Sequence, residues 1–448
     1  MPLQAKHLMA RVPRYTSYPT APHFDARVTG KTVEGWMRAL PRETPLSLYV
    51  HIPFCDSLCW FCGCHTRVVN AYNPVAHYLG VLRREIENAV SVLGHGRPVK
   101  HIHFGGGSPT MLRPDDWLRL SDDLSEMFRI ERDAEFAVEI DPRGLKPELV
   151  QALALSGVNR ASVGLQDVNP DVQRAVNRWQ PINVTRDAVE RLRGEGIAAL
   201  NLDLMYGLPH QTVDGVRRTI DAAVALRPNR IAVFGYAHVP EMKAHQNLID
   251  IKALPGPDER LAQYHAAHAQ LLASGFEVIG LDHYALPSDP MAVARRAGAL
   301  RRNFQGYTTD KARALIGFGA SAISEYPEGY AQNAAATPDW RARIASGEMG
   351  IARGHTLSPD DRLRRAVIEA LMCGLSADID AIARRYGERP SLFEPEFESL
   401  AALAKEGLCW IDGWRITIPE DARAGVRIVA AAFDAYLNPA QARHAVAV

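Results

Sequence analysis

The sequence is poor in cysteine, in charge of one sign and in long apolar runs, and each scarcity argues against a class of protein. Six cysteines in 448 residues are too few for the disulfide framework of a small secreted scaffold. Lys plus Arg equals Asp plus Glu, at 51 each, so no overall basic field draws nucleic acid or anionic lipid. The 16 histidines add little charge at neutral pH. No stretch approaches the ~18 apolar residues that span a bilayer, and the run Met1 to Lys6 lacks the apolar core of a signal peptide. A soluble cytoplasmic protein with no nucleic-acid or membrane partner is expected.

The few cysteines are not spread evenly. Cys55, Cys59 and Cys62 fall within eight residues, in Phe54-Cys55-Asp56-Ser57-Leu58-Cys59-Trp60-Phe61-Cys62-Gly63-Cys64, directly after the extended apolar run Leu46 to Ile52. Three thiolates at spacings of four and three can hold three irons of an iron-sulfur cube and leave the fourth open to a small ligand. Soft thiolate suits such a cluster, and a reducing compartment keeps thiols free to bind it. Other uses of clustered thiols compete. With Cys64, four sulfurs could close a structural zinc site, although zinc ligands are usually split over two separated knuckles and no second pair follows. A four-cysteine electron-transfer cluster is the other rival, but Cys64 stands closer to Cys62 than ferredoxin spacings place a fourth ligand. Cys373 and Cys409 are isolated and read as ordinary buried thiols.

Short β-type runs recur at residues 46–52, 99–104, 135–140, 160–165, 199–205 and 230–236. Between them lie helical patterns such as Tyr78, Leu82, Ile86, Val90 and Leu93, repeating every three or four residues. Strand then helix, six times over, predicts a parallel α/β sheet curled into a partial barrel, with the site at the strand ends. Gly105-Gly106-Gly107-Ser108-Pro109-Thr110 follows the second strand, where residues without side chains let backbone approach a ligand and expose its N–H and C=O groups. An ordinary turn is the alternative. Glu139, Gln166, Asp167 and Asp203 end the next three strands; one acidic residue there can be a helix cap, but together they mark one rim.

These motifs carry a resemblance. The C-x3-C-x2-C loop after a first strand resembles radical S-adenosylmethionine (SAM) enzymes, and the added Cys64 resembles the family of oxygen-independent coproporphyrinogen III oxidases. Tyr49-Val50-His51-Ile52-Pro53-Phe54-Cys55, Arg14-Tyr15-Thr16-Ser17-Tyr18-Pro19-Thr20, Asn303-Phe304-Gln305-Gly306-Tyr307-Thr308-Thr309 and Gly317-Phe318-Gly319-Ala320-Ser321-Ala322-Ile323-Ser324 support the narrower match, from about residue 11 to about residue 437. It implies an α/β partial (β/α)6 radical SAM barrel with an N-terminal extended arm (residues 1–30) and a mainly helical, winged-helix-like C-terminal domain (354–448) flanking a catalytic domain (31–353). It implies a 4Fe-4S cluster on Cys55, Cys59 and Cys62 with the fourth iron open to SAM. Tyr49, Gly106, Glu139 and Ile323 would contact that SAM. Phe61, Gly107, Ser108, Gln166, Arg178, Asp203 and Ala237 would contact a second. Tyr49 and Cys64 are the candidate catalytic residues, with Cys64 either transferring hydrogen or an electron near the substrate or standing as an unreactive thiol.

The activity implied is conversion of two propionates of coproporphyrinogen III to vinyl groups, giving protoporphyrinogen IX in haem biosynthesis, by a monomer that needs an electron donor and an electron acceptor. A related haem-binding chaperone and a redox-inactive zinc scaffold are the alternatives. The proline-rich arm, with its tyrosines and arginines, is expected to fold over the barrel mouth as a lid. In the C-terminal part, a helix after Ser358-Pro359, a hairpin over residues 407–417 and a last helix through Phe433 and Tyr436 are expected to close one side of the cavity. The pattern departs from the family at Ile428, where a polar residue is expected after Arg427.

Overall fold

Leu46-Ser47-Leu48-Tyr49-Val50-His51-Ile52 buries every side chain but Tyr49 in the computed structural model, which describes His7 and residues 10–437. A strand covered on both faces belongs in the middle of a parallel sheet. This strand, β1 (Leu46–Ile52), pairs in parallel with β2 (Arg97–Gly106), followed in order by β3 (Phe128–Ile140), β4 (Arg160–Gln166), β5 (Ala199–Tyr206) and β6 (Arg230–Gly235). Helices α1 (Asn73–Leu93), α2 (Pro114–Met127), α3 (Pro147–Leu155), α4 (Ile182–Gly194), α5 (Val213–Ala225) and α6 (Pro257–Ala273) run between or after them. The predicted face of α1, Tyr78, Leu82, Ile86, Val90 and Leu93, is buried. No helix among the described residues is long and apolar enough to cross a membrane.

The sheet does not stop at six strands. After β7 (Glu277–Ile279) and β8 (His283–Ala285) come β9 (Ala314–Phe318), β10 (Ile323–Tyr326), β11 (Gly329–Asn333) and β12 (Ile351–Thr356), giving the order β12-β11-β10-β9-β1-β2-β3-β4-β5-β6-β8-β7. β9 is a seventh parallel strand, setting Gly317 opposite Tyr49; the outer strands are antiparallel. These added strands are three to six residues long, too short for period-two alternation to reveal them.

Glu85 ties α1 to the far side of this sheet. Its carboxylate accepts the Gly319 N–H (2.6 Å), Asn333 Nδ2–H (2.7 Å) and Trp340 Nε1–H (3.0 Å). Burial pushes its pKa up to about 7, against the pull of the three donors. A carboxyl raised in the folded state keeps its proton there while the unfolded chain loses its own. The folded state therefore loses stability as pH climbs from the ordinary carboxyl range to about 7, by up to about 3 kcal/mol. The Tm, followed by far-UV circular dichroism, should fall more steeply between pH 5 and pH 8 in the native protein than in Glu85→Gln; equal slopes would refute the assignment.

The C-terminal part is built from α7 (Pro359–Gly374), β13 (Ser376–Asp378), α8 (Ile379–Arg385), α9 (Glu394–Lys405), the hairpin β14 (Trp410–Asp412) and β15 (Arg415–Thr417), and α10 (Val426–Ala431). Ser358 and Asp361 form a capping box at the start of α7. The last helix ends at Ala431, short of Phe433 and Tyr436. There the Asp434 side chain accepts the Tyr436 N–H (3.0 Å), a local bond that competes with helix. Gly354 lies inside β12 and exchanges two 2.8 Å backbone bonds with Asp25.

The arm is extended, but its tyrosines do not line the barrel cavity. Tyr15 and Tyr18 are buried; Tyr15 Oη donates to Asp434 (3.1 Å) and Tyr18 Oη accepts the Ala435 N–H (3.0 Å). They fasten the arm to the C-terminal part, leaving Arg14 exposed at the rim.

Candidate active site

The cysteine loop leaves the end of β1 and is held from several sides. Gly107 N–H donates to Ile52 O (2.8 Å), Ser108 N–H to Phe54 O (2.7 Å), Trp60 N–H to Val176 O (2.9 Å) and Val69 N–H to Cys55 O (3.0 Å). Lys243 Nζ donates to Cys64 O (2.8 Å), and His245 Nε2 lies 2.8 Å from Cys62 O. All four thiols are free; Cys59 is buried, Cys55 and Cys62 are half-buried and Cys64 is exposed.

Cys59 Sγ receives N–H groups from two arginines, Arg143 Nη2 (3.5 Å) and Arg178 Nη1 (3.4 Å). Asp141 fixes both guanidiniums, at 2.5 Å from Arg143 and 3.1 Å from Arg178. Burial works against its charge, but the two arginines hold its pKa at about 2. A soft sulfur donor set with charged N–H groups on one ligand fits an iron-sulfur cluster, whose sulfurs are tuned by such bonds.

The glycine run packs edge-on to this loop. A Cβ on Gly105 would lie 2.8 Å from the Glu139 carboxyl, one on Gly106 2.5 Å from His51 Cε1, and one on Gly107 2.7 Å from Phe54 O. Gly106 also has φ +114°, open to glycine and rarely to other residues. The expectation that this run offers its N–H groups to a ligand is corrected at three positions. Gly106 N–H goes to Glu139 Oε2 (3.0 Å), and those of Gly107 and Ser108 go to the cysteine strand. Glycine is needed here because an added carbon would meet Glu139, the His51 ring or the Phe54 backbone.

Side chains from all six strands line one cavity of about 340 Å³, which requires the sheet to curl. Tyr49, His103, Glu139, Ser162, Asp203 and Phe234 represent β1 to β6, and Cys64 projects into it from the loop. Tyr49 Oη is 3.0 Å from His51 Nδ1, and His51 Nε2 is 3.0 Å from His65 O. Burial lowers the His51 pKa to about 4, so the ring is neutral, with Nδ1 accepting from the tyrosine and Nε2–H donating to the carbonyl. Glu139 is pushed up by burial but held below the ordinary value by the His103 bond (3.2 Å), the charge of that ring and the Gly106 N–H. Asp203 is raised, by burial first and by the neighbouring Glu139; it accepts from Ser162 Oγ and Asn201 Nδ2, both at 2.8 Å.

Tyr49, Gly106, Glu139, Asp203 and Cys64 are thus brought together. Ile323 lies one strand beyond Gly317 and packs against the cluster of Phe24, Tyr330 and Leu357. Gln166, at φ +66°, and Arg178 meet at Gly164, where an added Cβ would lie 2.9 and 3.0 Å from them. Gln246 Nε2 links Phe61 O and Ala237 O, each at 3.2 Å. Ser108 is the outlier: its hydroxyl is 2.6 Å from Thr110 Oγ1 and borders a separate groove of about 410 Å³. Sequence reasoning missed His51, His103, Asp141, Arg143 and His283. His51 sat inside a run already singled out, but nothing along the chain marked its partners or the other four.

A curled parallel sheet with a three-cysteine loop and a glycine run at its strand ends has the form of a radical SAM domain, and the family model described as the Radical SAM superfamily matches residues 49–223. The similarity extends much further. An oxygen-independent coproporphyrinogen III oxidase of Bradyrhizobium diazoefficiens is 46% identical over 438 residues, 98% of this chain and 97% of its own. One from Paracoccus denitrificans is 42% identical over 98% and 97%. The solved coproporphyrinogen III oxidase of Escherichia coli, described as a radical SAM enzyme, superposes with TM-score 0.91 at 39% identity over 95% of this chain and 98% of that one. The chain belongs to the oxygen-independent coproporphyrinogen III oxidase family. Membership of the radical SAM superfamily implies a 4Fe-4S cluster and SAM.

Proposed function

We propose that this protein oxidatively decarboxylates two propionate side chains of coproporphyrinogen III to vinyl groups without oxygen, giving protoporphyrinogen IX. The observation that carries the reading is the single cavity in which Cys64, Tyr49 and Glu139 face one another beside the loop of Cys55, Cys59 and Cys62. Those three cysteines would hold the cluster and leave one iron for SAM. When bound, cluster and SAM supply a one-electron reductive cleavage whose carbon radical can take hydrogen from an unactivated C–H bond. Each propionate loses a β-hydrogen atom, carbon dioxide and one electron, so an electron donor and an electron acceptor are required.

The residues supply placement. Glu139, kept ionised, is suited to the ammonium of SAM, and Tyr49, fixed by neutral His51, forms the wall beside it. Asp203, Gln166 and Arg178, with Phe61, Ala237, Gly107 and Ser108, would contact a second SAM, one for each propionate. In this reading the described residues of the arm (1–30) and of the C-terminal part (354–448) cover the mouth of the catalytic part (31–353), the rest of both lying outside the described residues, with the electron partners and a monomeric state as further parts of the proposal.

Incubating the anaerobically reconstituted protein with SAM, a reductant and coproporphyrinogen III should yield both 5'-deoxyadenosine and protoporphyrinogen IX. Haem offered in parallel tests the carrier alternative; tight haem binding without product would replace this reading. Cys64 projects into the cavity, so we assign it to hydrogen or electron transfer at the substrate. Cys64→Ser should keep cluster and SAM cleavage but lose decarboxylation by at least ~100-fold, the lower end of what one positioned proton- or hydrogen-transfer group supplies. Full turnover would return Cys64 to the role of an inert thiol.

A further inference from the structure

A second recess lies on the other face of β6. Along this strand Phe234 points into the barrel cavity, while Val233 and Gly235 border a nook of about 30 Å³. Four guanidiniums line it, from distant parts of the chain: Arg14 of the arm, Arg260 at the start of α6, Arg302 and, from α10, Arg427. Among the described lining residues the one carboxylate is Asp282, 2.7 Å from His283 Nδ1. Burial works against the charge of Asp282, yet the His283 bond and the nearby Arg302 and Arg14 hold its pKa at about 2.

The side-chain bonds of Arg14 and Arg302 go to backbone carbonyls, as does one bond of Arg260. Arg14 Nη2 donates to Gly235 O (3.0 Å), Arg260 Nη2 to Tyr236 O (2.8 Å), and Arg302 Nε and Nη2 to Tyr15 O and Arg14 O (both 3.1 Å). A carbonyl satisfies an N–H but does not neutralise a charge. Arg302 Nη1 is buried with no hydrogen-bond partner, a costly arrangement unless an acceptor arrives. Converging guanidiniums are the natural receptor for a carboxylate. The nook admits a small polar head but no ring, and Arg14 at its edge is exposed.

We propose that this nook binds a carboxylate group of a ligand lying across the barrel mouth, foremost a propionate of the tetrapyrrole that escapes conversion. Two of the four propionates of coproporphyrinogen III survive the reaction, and something must tell them from the two that react. The bound group would fix which edge of the macrocycle faces Cys64. The inference rests on the activity proposed above. The same chemistry would accept the α-carboxylate of a second SAM, since Ala237 also borders the nook.

The test compares native protein, Arg14→Gln and Arg14→Lys, each with its cluster. Fluorescence quenching gives the Kd for coproporphyrin III, the unreactive oxidised form of the substrate, and equilibrium dialysis gives SAM bound per chain. We expect Arg14→Gln to weaken coproporphyrin binding about tenfold, the worth of one charge-assisted hydrogen bond, with SAM stoichiometry kept and Arg14→Lys recovering most of the affinity. Fewer bound SAM with unchanged coproporphyrin affinity would support the nook and assign its carboxylate to SAM. Unchanged binding of both ligands overturns the proposal, as does a loss of both that Arg14→Lys does not recover, since the arginine would then only fasten the arm. Failure of the activity reading is separate: native protein would then make no protoporphyrinogen IX, whatever Arg14→Gln does to binding.

Discussion

Cys59→Ser, prepared and reconstituted without oxygen, should emerge with little iron or acid-labile sulfide and no detectable 5'-deoxyadenosine from SAM. Cys59 is the most buried of the loop thiols, at 7% exposed, and two guanidiniums anchored on Asp141 donate to its sulfur. Serine offers a harder, less acidic donor to a soft metal centre and leaves two guanidiniums, the buried Arg178 and the half-buried Arg143, aimed at the wrong atom. Losing an outer partner of a metal ligand typically lowers affinity or activity by roughly 10–100-fold, and losing the ligand itself should exceed that. Arg143→Gln provides the graded comparison. It removes one N–H···S bond and leaves Arg178 in place, so the cluster should assemble and SAM cleavage should fall within that milder range. If Cys59→Ser retained a full complement of iron, sulfide and SAM cleavage, the cluster could not be held by this loop.

The second large effect is expected at Gly106. Alanine there would bring a Cβ to 2.5 Å from His51 Cε1, and the backbone sits at φ +114°. Strain at such a dihedral costs about 1–3 kcal/mol, and forcing a methyl into packed surroundings about 1–3 kcal/mol more. The displaced ring would lose its contacts with Tyr49 and His65, and Glu139 would lose the Gly106 N–H that helps hold it ionised. Gly106→Ala should therefore lower both Tm and SAM affinity, the latter by at least about tenfold. Gly80→Ala is the control. Gly80 is exposed in α1, with no atom within 4 Å of its added Cβ, so alanine should stabilise by up to ~1 kcal/mol. Equal behaviour of the two variants would remove the structural reason for the glycine.

Much of this site could be read along the chain because its parts are local. The three clustered cysteines lie within one loop, and β1 matches the expected run 46–52 because Leu46, Leu48, Tyr49, Val50 and Ile52 put apolar side chains on both of its faces. Asp203 and Glu139 were legible because strand ends of a parallel sheet share one rim. Ser108 shows the limit. Its place in the glycine motif suggested a ligand contact for its side chain, whereas its hydroxyl turns to Thr110 and the outer groove. Tyr15 and Tyr18 show it again, since residues suited to cover a macrocycle are used to anchor the arm to residues 434 and 435.

What the sequence by itself determined was the chemistry on offer: soft sulfur donors in one loop, a glycine run that permits close approach, and acidic residues at successive strand ends. These follow from spacing and periodicity, which act over a few residues and survive in any fold that keeps the strands. What only the tertiary structure decided was which distant groups share a place. Arg143 and Arg178 meet on one sulfur, Glu85 reaches Gly319, and Arg14 meets Arg260, Arg302 and Arg427 around Asp282. Such meetings depend on how the sheet curls and how the arm and C-terminal part pack upon it. No periodicity encodes them, because burial and charge are balanced over the whole molecule once the chain has closed on itself.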